Sequence, residues 1–409
     1  MGGPKKRADG FFVRNKSVLI MGFFALVIAA TADLIAGLFL TKMEEYLLTI
    51  TGMMILIYCA IGMRGNIFGS MGSRLGTAMH MGTFQMTFKK NSVLRSNVEA
   101  AVTLTLILSI IMGVVGWGVT ELFFGHTINP FRFIFISLVG GILAGIIVVL
   151  FNIIIAQVGY KRDWDVDNIT APLIAAAGDI ATVPMIFLAT LMQEAITDDW
   201  IIYAVCIIFT ILGSIMTIAI LRRKTPRRKR MNEAKRILRQ STPVLLLCMI
   251  FEIVAGIVIE TETSSLVRYG VLLVLLPAFL NEGNALSGML TSRLSSMLHL
   301  GTLSPEPIPR KGAVENFMII YILAAVTFLM IGTAAFGVQS DSLEYLTVIA
   351  IVLVAGMLTT TVINVLSYYV AIAAIKFNLD PDDHCIPITS SVMDVVGTII
   401  LVAVIGIIL

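Results

Sequence analysis

Apolar runs of about 20 residues recur along the whole of this chain, each long enough to carry an α-helix across a bilayer core about 30 Å thick. The runs are continuous rather than alternating, which argues against a transmembrane β-barrel. Only 13% of the 409 residues are charged and 57% are hydrophobic, against about 25% charged in soluble domains. Spans are expected at 17–41, 46–63, 93–123, 131–160, 169–196, 199–221, 243–260, 266–281, 314–337, 345–375 and 386–409. The fold class is an all-α polytopic membrane protein with about eleven transmembrane helices. Four scattered cysteines (Cys59, Cys206, Cys248, Cys385) form neither a disulfide framework nor a zinc motif. The basic N-terminus precedes a run without an obvious cleavage site, so that run reads as a first membrane helix rather than a removed signal peptide.

Basic residues set the expected topology. With the N-terminus in the cytoplasm, 26 of the 29 Lys and Arg fall in cytoplasmic segments and only Lys42, Arg132 and Arg268 fall outside. That is a strong positive-inside bias. Arg64, Arg74, Lys89, Lys90 and Arg95 count among the inner residues, between spans 2 and 3. Residues 222–240, RRKTPRRKRMNEAKRILRQ, form a basic linker, read first as a topology anchor and second as a contact for anionic lipid.

The chain repeats itself. TADLIAG at 31–37 matches IFEIVAG at 250–256, pairing Asp33 with Glu252 at a spacing of 219 residues. SRLGTAMHMGT at 73–83 matches SRLSSMLHLGT at 292–302, pairing Arg74 with Arg293 and His80 with His299. Val98-Glu99 is matched with Val314-Glu315, which pairs Glu99 with Glu315. DVDNITAPLIAAAGD at 165–179 matches DPDDHCIPITSSVMD at 380–394, with Pro172 on Pro387 and Asp179 on Asp394. Two five-span repeats joined by a linking span are parallel, related by a pseudo-two-fold axis along the membrane normal. The expected organisation is a cytoplasmic tail (1–16), repeat 1 (17–198), a linking helix and basic linker (199–242) and repeat 2 (243–409).

Asp179 and Asp394 lie in apolar surroundings, where a charge costs at least about 2.5 kcal/mol. Mg2+ takes oxygen ligands from one or two carboxylates and keeps several waters. Two aspartates near an axis suit such an ion. Pro172 and Pro387 would free carbonyl oxygens on the preceding turns, with Asn168, Thr170, Thr389, Ser390 and Ser391 as further oxygen donors. The competing reading pairs each aspartate with a buried arginine or a helix cap. Asp163, Asp165, Asp167, Asp380, Asp382 and Asp383 form acidic loops at the inner mouth, as a cation vestibule or as solvated turns. Asp33 and Glu252, in the outer half, and Glu99 and Glu315, near the inner face, fit either a cation path or structural ion pairs. The glycine-rich stretch 62–82 and its twin at 281–301 read as packing helices, partly re-entrant, headed by Asn66 and Asn284. His80 and His299 read as structural residues; His126 and His384 carry no assignment.

The 62–83 motif, its twin and the two P-x6-D segments resemble the membrane domain of the MgtE magnesium channels, and more closely the two-repeat arrangement of solute carrier family 41. The resemblance covers nearly all of residues 17–409. It implies transport of divalent cations, chiefly Mg2+, through a pore between the two halves, with the family's pore aspartate mapping onto Asp179 and Asp394. No counterpart of the bacterial channels' regulatory and CBS domains precedes the first span, so gating by them is not expected. The repeats differ, GD in one and MD in the other, so the pore need not be symmetric.

The expected function is transport of Mg2+, with Mn2+ and Co2+ as further candidates, by a multi-pass protein of the cell membrane. The N-terminus is expected inside and the C-terminus outside, in a monomer with an internal pseudo-dimer. Mg2+ is cargo; no organic cofactor, catalytic residue or nucleic-acid partner is expected. One alternative is a sodium- or proton-coupled carrier of another solute. A remote one is an intramembrane aspartyl protease, which would need the GxGD motif that AAGD at 176–179 and SVMD at 391–394 lack.

Overall fold

The computed structural model describes residues 11–125, 127–162, 166–223, 232–340, 343–376 and 386–409; the side chains of 11–14, 17, 80, 159–162, 166–176, 299 and 386–388 lie outside that description. The described residues form thirteen helices. Repeat 1 holds α1 (Phe11–Lys42), α2 (Glu44–Thr49), α3 (Met53–His80), α4 (Val93–Phe124), α5 (Pro130–Arg162) and α6 (Val166–Ala195). The linking helix is α7 (Asp199–Leu221). Repeat 2 holds α8 (Glu233–Thr261), α9 (Thr263–Arg268), α10 (Gly270–His299), α11 (Lys311–Val338), α12 (Tyr345–Lys376) and α13 (Ile386–Ile408). Ten of the helices are long and apolar enough to cross a membrane by the residues described, and α6 adds a further 30-residue helix.

Three helices depart from the expected boundaries. The second and eighth spans do not end where the glycine- and serine-rich stretches begin. α3 and α10 run on unbroken through them, at 28 and 30 residues, or about 42–45 Å at 1.5 Å per residue. Small residues in a membrane helix let neighbours approach without ending the helix, so no re-entrant break is needed. Arg64 consequently stands inside α3, only 1% exposed, and is not a cytoplasmic loop residue. α8 starts at Glu233, within the basic linker, ten residues before the expected span.

The repeats are interlocked. α1 packs on α10 and α6, while its counterpart α8 packs on α3 and α13. The first helix of each half thus grips the second helix of the other half. A Cβ on Gly37 would lie 2.1 Å from the Val274 carbonyl oxygen, and one on Gly256 would lie 2.7 Å from the Ile55 Cα. Both pairs are spaced by 219 residues, so the two crossings are equivalent.

The outer end of α3 is held across the same boundary. Glu260 on α8 accepts from the backbone N–H groups of Gly52 (2.7 Å) and Met54 (3.0 Å), and so satisfies donors that a helix start leaves orphaned. Gly52 itself has φ +88°, and a side chain there would also strike Thr120. Nearby, on α2, the Tyr46 hydroxyl donates to the Glu194 carboxylate, which pushes that phenol up to about 12.

At the other ends of α3 and α10, Arg74 Nε donates to Asn97 Oδ1 (2.9 Å) and Arg293 Nε to Asn316 Oδ1 (2.8 Å). Asn97 and Asn316 are again spaced by 219. That register carries through α4 and α11, so Glu99 is equivalent to Met318 and not to Glu315. The sequence match at a spacing of 216 was a local coincidence of Val-Glu.

Gly37→Ala is expected to lower thermal stability by about 1–3 kcal/mol through overpacking. Gly65→Ala, where an added Cβ meets nothing within 4 Å, is expected to be neutral or mildly stabilising. Melting of the purified variants in one detergent checks the pair, and equal melting temperatures would refute the crossing.

Candidate cation site

Four buried acids meet where the interlocked helices cross. α6 supplies Asp179, α13 Asp394, α1 Asp33 and α8 Glu252; they are 4%, 8%, 1% and 2% exposed. They form two pairs. The carboxyls of Asp33 and Asp179 face each other at hydrogen-bonding range, as do those of Glu252 and Asp394. Asp179 and Asp394 are within electrostatic reach of one another, but the direct partner of each is the acid of a repeat's first helix, not the other aspartate. Asp33 and Glu252 are thus brought to the level of the central aspartates rather than set apart toward the outer face. Among the described residues no three acids, histidines or cysteines converge as a closed metal cage.

The bonds that position these acids come from neutral groups. Asn281 Nδ2 on α10 donates to both Asp179 Oδ2 (2.7 Å) and Asp33 Oδ1 (3.1 Å). Asn284 Nδ2, also on α10, donates to Asp394 Oδ1 (2.7 Å). Ser391 Oγ donates to Glu252 Oε1 (2.9 Å) and in turn accepts from Asn66 Nδ2 (3.3 Å). Among the described residues no Lys or Arg bonds to the four. Arg64, a buried arginine nearby, sends Nη2 instead toward Ser109 Oγ at 3.5 Å, and its Nε and Nη1 have no partner. Buried carboxyl pairs without a basic partner need a positive charge between them, from a cation or a proton.

The repeats solve the same packing problem differently. Gly62 and Asn281 are equivalent. A Cβ on Gly62 would lie 2.2 Å from the Glu252 Cδ, so the longer acid fills the space above glycine. The shorter acid, Asp33, meets the amide of Asn281 instead. A small cavity at the centre is lined by Tyr58, Gly62, Glu252, Pro277, Asn281 and Asp394. Tyr58 and Pro277 are equivalent positions. The Tyr58 hydroxyl is buried without a partner, and Pro277, inside α10, cannot donate to the carbonyl four residues back, leaving it free. Toward the inner ends, Gly65 and Gly69 of α3 face open space.

The remaining expected residues are less central. Glu99 pairs with Arg95 (2.8 Å) and with Arg223 at the end of α7, which is the structural ion-pair reading. Glu315 lies in the first turns of α11. Asp167 and Asn168 fall in the first turn of α6, but their side chains, with Thr170, lie outside the described residues, as do Asp163, Asp165, Asp380, Asp382, Asp383, His126, His384 and Cys385 altogether. The His80 and His299 side chains lie outside them too. Pro387 lies in α13, and the residues before Ile386, whose carbonyls it was expected to free, lie outside the described residues. Sequence reasoning named Asn284 only as the head of a packing helix and Gly62 only as a small packing residue, and passed over Asn281 and Tyr58. The asparagines were visible as amides in an apolar helix; Gly62 gained meaning only once Glu252 was seen against it.

A polytopic helical bundle with ten membrane-capable helices and four buried acids at its centre is an integral membrane protein with a candidate cation site. The family model described as "MgtE: Divalent cation transporter" matches residues 57–189 and 276–404, one block in each repeat and more than half of the chain, and the chain belongs to that family. Solute carrier family 41 member 3 of Mus musculus is 24% identical over 95% of this chain and 82% of its own length. Member 2 of Homo sapiens is 23% identical over 92% and 68%. The crystal structure of the eukaryotic MATE transporter AtDTX14 superposes with a TM-score of 0.33 at 13% identity, over 98% of this chain and 96% of that one, too low to assign a shared fold.

Asn281→Leu is expected to cost about 1–3 kcal/mol, because it strips a donor from two buried carboxyls at once. Unfolding followed with a thiol-reactive dye at the buried cysteines Cys59, Cys206 and Cys248 measures it. An unchanged melting temperature would show that the amide does not hold the acids.

Proposed function

We propose that this chain moves Mg2+ across the membrane along the interface of its two repeats, with the Asp33–Asp179 and Glu252–Asp394 pairs as the binding centre. The observation that carries the reading is two buried carboxyl pairs held by amide and hydroxyl donors, without a basic counterion among the described residues. Pairs of carboxylates with space beside them suit a hard divalent ion that keeps part of its water. Softer sites would present Cys or His. Mn2+ and Co2+ are the competing ions of similar charge. Each repeat, 17–198 and 243–409, supplies one pair, so one chain makes a complete path as an internal pseudo-dimer. The positive-inside bias, less Arg64, puts the N-terminus in the cytoplasm and the C-terminus outside. Membership of a transporter family supports reading the chain as a carrier of ions and not as an enzyme.

Mg2+ uptake into liposomes holding the purified protein, under an inside-negative potential, tests this. Asp179→Asn and Asp394→Asn are each expected to reduce uptake by more than about tenfold, since each removes a charge from the centre, while size-exclusion profiles stay monodisperse. Full uptake in both variants would refute the site.

A further inference from the structure

The basic residues where the two repeats are joined form one bonded patch. Arg223, just past the end of α7, donates to Glu99 on α4, and Arg95 donates to the other oxygen of the same carboxylate at 2.8 Å. Arg95 Nη1 also holds the Phe88 carbonyl oxygen (3.4 Å), in the loop before α4. Asn232, at the start of α8, donates to Asn91 Oδ1 in that same loop (3.1 Å). The inner loop of repeat 1, the linking helix and the first helix of repeat 2 thus meet on one surface, and Lys89, Lys90 and Arg222 are exposed there. One carboxylate between two guanidiniums leaves a positive charge and N–H donors over, and Arg95 and Arg223 remain 43% and 35% exposed. Guanidinium forks in that state match a phosphate.

Repeat 2 lacks the patch. At the spacing of 219, Lys89, Lys90, Arg95 and Glu99 correspond to Ile308, Pro309, Val314 and Met318. The loop of repeat 2 is fastened to its own half instead: the Tyr368 and Tyr369 hydroxyls of α12 donate to the carbonyls of Glu306 (2.7 Å) and Pro307 (2.9 Å), and Arg310 pairs with Glu306. Both loops are at inner helix ends, so topology alone does not call for the charge in one and not in the other. Above the patch the linking helix is a lipid-facing wall. α7 packs on α4 and α5 and touches α8 only slightly, and Ile207, Ile211, Ile215 and Ile218 stand exposed along it. Spacings of three and four place these isoleucines and Arg222 on one face. From Ile211 to Arg222 is about 16 Å of helix at 1.5 Å per residue, close to one leaflet of a bilayer core about 30 Å thick. An acyl chain lying on the stripe therefore brings its headgroup to Arg222. We infer that this surface is a binding site for an anionic phospholipid, with its chains along α7 and its phosphate balancing the surplus charge of the Arg95–Glu99–Arg223 cluster. Bound there, the lipid bridges the loop of repeat 1, the linking helix and α8.

The test is melting of the delipidated full chain in neutral detergent with EDTA, after adding phosphatidylglycerol or phosphatidylcholine at equal mole fraction. Phosphatidylglycerol is expected to raise the melting temperature by about 2–4 °C over phosphatidylcholine, as a ligand bound only by the folded state does, and the gain should shrink at high salt. The triple variant Lys89→Gln, Lys90→Gln, Arg222→Gln, all at exposed side chains, should remove about half of the gain or more. The double variant Arg310→Gln, Lys311→Gln takes charge from the inner loop of repeat 2 and should keep the gain, which separates a site from general attraction to anionic lipid. Native mass spectrometry should retain phosphatidylglycerol on the wild type and lose it from Arg222→Gln, and gives the reading if the triple variant fails to fold. Glycerol 3-phosphate, which has the phosphate without the chains, should give no gain. Equal melting in the two lipids, a gain that survives the triple variant, an equal loss in the repeat 2 variant, or a full gain from glycerol 3-phosphate would overturn the inference.

Discussion

Carboxyl groups are buried at a helix crossing with only neutral side chains to hold them, and the rest of the architecture follows from that. A carboxylate in the membrane interior is tolerated where a compensating charge can reach it. Arg64 is the obvious internal candidate: it is on α3 and packs beside Gly178, one residue from Asp179. Yet its guanidinium lies between α4 and α5 against Ser109, not on the acids. The compensating charge is therefore left to a cation or a proton from outside, which is the basis of the proposed binding centre.

Holding four acids from four helices within reach of one another demands close helix crossings, and the interlock supplies them. Gly37 and Gly256 bring α1 and α8 onto the backbones of α10 and α3. Because each repeat's first helix is clasped by the other repeat, neither acid pair belongs to one half alone. Asp33 and Asp179 come from repeat 1, but the amide that joins them, Asn281, comes from repeat 2. Glu252 and Asp394 come from repeat 2, but Asn66 of repeat 1 braces the serine that holds Glu252. A shift of one repeat against the other must disturb both pairs together.

Much of this was legible in the sequence. Length and continuity of the apolar runs give the spans, and the twin motifs give the repeats, because both rest on local pattern. Asp179, Asp394, Asp33 and Glu252 stood out as acids in apolar runs, and all four meet at the centre. Which acid partners which was not legible, since that depends on helices far apart in the chain. The Glu99–Glu315 match failed because two residues of identity cannot set a register, whereas the Arg–Asn bonds near the starts of α4 and α11 can. Arg64 falls outside the expected second span because that span ends at residue 63; continuous helix through the glycine-rich stretch puts it in the core.

The asymmetry between repeats bears on how the centre works. Glu252 over Gly62 and Asp33 beside Asn281 fill equivalent spaces with about the same volume, but they are not electrically alike. The Asn281 amide ties Asp33 and Asp179 into one unit, and that pair is fixed by a donor reaching both members. Glu252 and Asp394 are held by separate donors, Ser391 and Asn284, on α13 and α10, so no single donor outside the pair ties the two carboxyls together. Glu252 also has one more methylene to move with, and it borders the small central cavity with Asp394. The Glu252–Asp394 pair is thus the adaptable half of the centre and the Asp33–Asp179 pair the rigid half. An ion whose coordination must change as it sheds and regains water is better served by one fixed and one yielding pair than by two identical ones, which gives a physical reason for a duplicated fold to have let its copies diverge at these positions.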